Sequence, residues 1–181
     1  MKIRIPSACA LVLGTLCFGH HSEAADKLKV LLIDGQNNHA WASTSPVMKK
    51  ILEQSGLFEV EVSTTPPAGG GAKKPAAEAP ADPAQAQQEK EAQEAKRKEA
   101  WNAWNPDFTK YAAVISNYNG EAWPETVQKN FVAYVSGGGG FVSVHAADNA
   151  FPEWPAYNEM IGLGGWGRRN EKHGPMVRFR D

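Results

Sequence analysis

Four short apolar runs, separated by polar loops and two amphipathic stretches, organise the chain. Residues 28–34, LKVLLID, form a continuous apolar run of strand length, the pattern of a strand buried on both faces. The polar loop GQNNHAWAST follows. The next segment, STSPVMKKILEQSG, reads as a helix with Thr44 or Ser45 as N-cap, Pro46 at its first position and Gly56 at its stop. Val47 and Ile51, with Met48 and Leu52 beside them, are expected to form its buried stripe. LFEVEVST, residues 57–64, alternates and predicts a second strand, which makes a β-α-β unit with a right-handed crossover. Further apolar runs lie at 111–118, YAAVISNY, and at 141–146, FVSVHA. Between them PETVQKNFVAYVSGGGG predicts a helix with Pro124 near its start and Val127, Phe131, Tyr134 and Val135 on one face. PAYNEMIG reads as a short helix, and PMVRFRD as a strand just beginning where the sequence stops, so the chain reads as ending mid-domain. Strands alternating with helices predict an α/β fold, a mostly parallel sheet with helices on both faces.

Residues 65–104 break this rhythm. Pro, Gly and Ala dominate the first part, which has almost nothing to bury and reads as a linker. AQQEKEAQEAKRKEAWNAW is rich in helix formers, with only alanine as apolar content until Trp101 and Trp104. The plain expectation is a solvated helix, docked if at all through those two tryptophans.

Composition changes the picture mainly at the N-terminus. Lys2 and Arg4, the apolar ACALVLGTLCFG and the small-residue end at Ala24 read as a secretory signal over residues 1–24, too short for a comfortable membrane span. Cleavage near Ala24 would leave an exported domain over 25–181 with seventeen basic and nineteen acidic residues, a net charge of −2. That balance offers no basic face for nucleic acid. Cys9 and Cys17 both fall in the signal, so the exported chain would have neither disulfide nor thiolate chemistry.

Ligands of open parallel sheets bind outside the carboxyl ends of the strands. The loops expected there carry Asp34, Gln36, Asn37, Asn38, His39 and Trp41; then Asn117, Tyr118, Asn119, Glu121 and Trp123; then His145, Asp148, Asn149 and Trp154. Amides and carboxylates suit sugar hydroxyls, and indoles suit apolar ring faces. The expected substrate-binding set is Asn38, Trp41, Asn119, Trp123 and Trp154. His145, His39 and His173 are the candidate acid/base groups, because imidazole titrates near neutral pH, with Asp148 orienting one ring. Each has a plainer alternative: a solvated His39, a His145 bonded to a backbone carbonyl, a His173 closing the glycine-proline turn, and Asp148 as an N-cap. Two motif tests fail. Ser143 lacks a G-x-S-x-G elbow, and the run of glycines at 137–140 precedes a strand instead of opening a helix, so it is no phosphate loop. No H-x-x-x-H or H-E-x-x-H is present, so a divalent metal on His39, His145 and His173 would have to be assembled in three dimensions.

LLIDGQNNHAW, SNYNGEAWP and the stretch from YVSGGGGFVSVHAADNAF to NEKHGP together resemble the ThuA-like (trehalose utilisation) domain over residues 28–64 and 105–181. Residues 65–104 look like an insertion. The resemblance implies a class I glutamine amidotransferase-like, flavodoxin-like fold and a role in carbohydrate metabolism. It also implies that His145 stands where amidotransferases keep a cysteine nucleophile, which removes a thiolate-dependent glutaminase. The function expected is action on a saccharide or an oxidised sugar derivative, by a hydrolase or isomerase. A non-catalytic carbohydrate-binding module or an inactive truncated product is the alternative. Oligomeric state is left open.

Overall fold

The computed structural model describes residues 26–69 and 83–162. The expected signal at 1–24, residues 70–82 of the linker, His173 and the expected strand at 175–181 lie outside the described residues. Among the described residues, four strands, β1 (Leu28–Asp34), β2 (Phe58–Thr64), β3 (Ala113–Ser116) and β4 (Gly140–Ser143), form one parallel sheet in the order β2-β1-β3-β4. The α-helices among the described residues are α1 (Trp41–Gln54), α2 (Pro83–Ala103), α3 (Glu125–Ser136) and α4 (Pro155–Ile161). This is the doubly wound, flavodoxin-like α/β arrangement that the strand-helix alternation predicts.

The two-residue period of the strands divides the core between the faces of the sheet. Val30, Leu32 and Val60 form one cluster, against which Met48 and Leu52 of α1 pack. Leu31, Ile33 and Val114 join the other, larger cluster with Val127, Phe131 and Tyr134 of α3 and Tyr157 of α4. Aromatic rings dominate that side. Trp123 lies within 5.2–5.9 Å of Phe131, Phe151 and Trp154 in edge-on contacts, a preferred geometry for ring pairs.

Helix α1 departs from its expected start. It begins at Trp41, a turn earlier than the Ser/Thr signal suggested, and Ala40 makes no side-chain cap. Pro46 therefore lies inside the helix. Ser45 is buried, and its hydroxyl accepts from Asn117 Nδ2 at 3.0 Å. That tie turns Ser45, Met48 and Leu52 toward the sheet. Of the expected stripe, Met48 and Leu52 pack on the core, while Val47 and Ile51 are 55% and 61% exposed instead. Both stripes satisfy helical spacing, so periodicity could not choose between them; the bond to the end of β3 does.

Helix α2 is docked, and through the expected residues. Trp101 is buried in the aromatic cluster, and Trp104, just past the helix, packs on it and donates Nε1–H to Ser63 Oγ at 3.0 Å. At the other end of the molecule's fourth strand, the glycine run ends α3: Gly137 caps it and Gly138 turns the chain at φ +96°. A Cβ on Gly139 would sit 2.3 Å from the Tyr134 ring, so only glycine allows the chain to pass that ring into β4.

Candidate functional site

The carboxyl ends of β1, β3 and β4 bring their following loops to one edge of the sheet. After β4 the chain turns sharply. Val144 N–H still bonds Ser116 of β3 at 3.0 Å, and His145 then adopts φ 49°, a left-handed conformation that non-glycine residues rarely take. A 3₁₀ turn, His145–Asn149, follows, with Ala146 and Ala147 buried and the His145 side chain left exposed. Phe151 ends the segment in a second left-handed conformation, φ 54°, its ring held among Tyr118, Trp154 and Tyr157. Tyr157 supports the turn from below, donating to the Ala147 carbonyl at 2.9 Å.

The loop after β1 brings His39 to the same place. The rings of His39 and His145 lie 4.6 Å apart, centroid to centroid, tilted by 46°. A chain of amides holds the His39 loop. Asn37 donates to the Asn117 carbonyl at 3.1 Å, and its own side-chain oxygen accepts from His39 N–H at 2.9 Å. Asn117 in turn binds Thr44 and Ser45 of α1 at 3.1 and 3.0 Å. Asn119 donates to Asn38 Oδ1 at 3.1 Å, and Asn38 Nδ2 stands 3.5 Å from His39 Nε2. Trp41, half-buried, opens α1 two residues further on, its N–H bonded to the His39 carbonyl at 2.8 Å.

Of the residues singled out from the sequence, His39, His145, Asn38, Asn119 and Trp41 therefore share one rim. Trp123 and Trp154 do not belong to it. They are 2% and 8% exposed, packed edge-on within the aromatic core, so neither presents a ring face to a ligand; burying an indole gains more apolar contact than leaving it on the rim. Asp148 also has a different partner from the one expected. Its carboxylate accepts a very short hydrogen bond from Ser143 Oγ, and so it braces the turn after β4 where orienting an imidazole was expected of it. Among the described residues no three His, Cys, Asp or Glu side chains gather into a metal cage.

What sequence reasoning missed is the pairing. Gln36, buried at the end of β1, accepts from Glu121 N–H at 2.9 Å, donates to the Pro66 carbonyl at 2.7 Å, and offers its own carbonyl to Asn119 N–H at 2.9 Å. One amide thus joins three loops. The polar loop composition signalled that such residues exist, but partners 30 to 85 positions apart leave no local trace.

Residues 29–180 match the ThuA family, described as trehalose utilisation. The chain belongs to the ThuA family. A crystal structure of a protein described as ThuA-like, from Parabacteroides merdae, is 38% identical, with a TM-score of 0.60 over 86% of this chain. The present chain spans 46% of that protein's length. No curated protein sequence matches the chain. Membership of the ThuA family accounts for the flavodoxin-like sheet, and the family's description points to a sugar-related role.

Proposed function

We propose that this ThuA-family chain is exported and acts on a saccharide or an oxidised sugar derivative at the His39–His145 pair. The observation that carries this reading is the 4.6 Å approach of two imidazoles from loops 106 positions apart in sequence, at the ligand-binding edge of a parallel sheet. Hydrolysis of a glycosidic bond and isomerisation of a keto sugar both need one group to accept a proton while another donates one. Two neighbouring imidazoles supply both roles, and each such role is worth about 10²–10⁴-fold in rate. Asn38 and Asn119 would bind hydroxyls, and Trp41 would offer the apolar ring face. The elbow position holds His145, and both cysteines, Cys9 and Cys17, fall within the expected signal, so the exported chain would have no thiol to act as nucleophile.

The test is His145→Asn. Asparagine tolerates the left-handed backbone, so the elbow persists while the acid/base group is lost. Turnover of trehalose or of its ketone derivatives should fall by about 10²-fold or more, with the melting temperature unchanged. Retained turnover removes the catalytic role of His145. Saccharide binding without turnover in the unaltered protein would move the assignment to a binding module.

A further inference from the structure

We infer that Arg97 and Glu121 are positioning residues: the inserted helix α2 uses them to hold the His39 loop in the register that meets His145. The inference rests on reading the histidine pair as the ligand site.

Glu121 is the junction. Its carboxylate takes Arg97 Nη1 on one oxygen at 2.6 Å and Gly69 N–H on the other at 2.6 Å, so it is gripped from both ends of the inserted segment. Its backbone N–H donates to Gln36 Oε1 at 2.9 Å, and the same loop's Asn119 N–H reaches the Gln36 carbonyl at 2.9 Å. Asn119 Nδ2 then holds Asn38 Oδ1 at 3.1 Å, one residue from His39. The bonded path runs from α2, through the loop after β3, to the loop after β1. Helix α2 has its own anchorage in Trp101 and Trp104, so it is a fixed body from which Arg97 can pull.

The Arg97–Glu121 pair is about one-third exposed on each side, so its net contribution to global stability is small. Its geometric role is separate. Both carboxylate oxygens are occupied, which fixes the Glu121 side chain and, through its backbone, the loop that carries Asn119. Residues this far from the chemistry matter when they set the alignment of reacting groups, where a displacement of about 1 Å costs on the order of 10²-fold in rate.

The experiment is nuclear magnetic resonance on the full chain, reading the cross-relaxation peak between the carbon-bound ring protons of His39 and His145. Arg97→Gln should reduce that peak at least twofold and shift the His39 ring resonances. Arg97→Lys, which keeps the charge within reach, should restore both. Lys49→Gln, which breaks an ion pair of similar exposure on α1, is the control for a merely structural effect and should change neither. If Arg97→Gln leaves the peak intact, or acts no differently from Lys49→Gln, Arg97 and Glu121 do not position the site and the inference is overturned while the site reading stands. If the unaltered protein shows no such peak, the pair itself is wrong and both fall.

Discussion

His145 carries the chemistry proposed here and also a backbone cost. A left-handed conformation at a residue with a Cβ costs about 1–3 kcal/mol and persists only where the surroundings impose it. Those surroundings are visible. Val144 is still tied to β3, Asp148 is braced by Ser143, and Tyr157 bonds Ala147 from within the core. Burial pushes the Tyr157 phenol up to about 12 from an ordinary 10.0. Burial, helped by a hydrogen bond to Glu61 and by that residue's charge, also lifts Tyr111 to about 12. Burial pushes Tyr118 further still, with Glu121 adding to it. A phenol that ionises later folded than unfolded stabilises the fold fully below the unfolded value, and that contribution is lost as pH rises through the folded one. Thermal melts should therefore show stability falling between pH 10 and 12, by about 3 kcal/mol for Tyr157's two-unit displacement alone. Tyr157→Phe should flatten that alkaline slope; an unchanged slope would show that the phenol is not buried as described.

At the scale of elements, the strands were the most legible part of the sequence. Continuous apolar runs at β1 and β3 and the alternating run at β2 have few other meanings in a chain this polar between them. Helix α1 shows where local reading stops. Val47 and Ile51 repeat at helical spacing as well as Met48 and Leu52 do, and the choice is made by Ser45 meeting Asn117, residues 72 apart. Long-range bonds leave no period in the sequence. The physical consequence is measurable. Ile51→Lys should change unfolding free energy by no more than about 0.5 kcal/mol. Leu52→Ala, which opens space against Val30, Leu32 and Val60, should cost about 2 kcal/mol. Equal losses at both positions would mean the helix presents the opposite stripe. Helix α2 was legible in its helicity and in its tryptophan anchors, and illegible in its Arg97 arm, since one arginine among many charges looks like solvated surface.

For the molecule as a whole, open parallel sheets bind ligands beyond the carboxyl ends of their strands, and the loops after β1, β3 and β4 gather at that edge. The polar inventory of those loops could be read directly, but their division of labour could not. Two tryptophans that looked ligand-facing complete the aromatic core, because the larger face of the sheet needs them more than the rim does. Asp148 braces the elbow, whereas His39 and His145 meet in the open. Membership of the ThuA family points to a sugar-related role, and the chemistry proposed for it rests on the histidine pair. The most direct measurement is a titration of the full chain with trehalose and its ketone derivatives, following the ring-proton resonances of His39 and His145. Both histidines should shift together with one saturation curve, and His145→Asn should abolish the His39 response. Saturable binding that moves neither ring, or no response to any of these sugars, would contradict the proposed site.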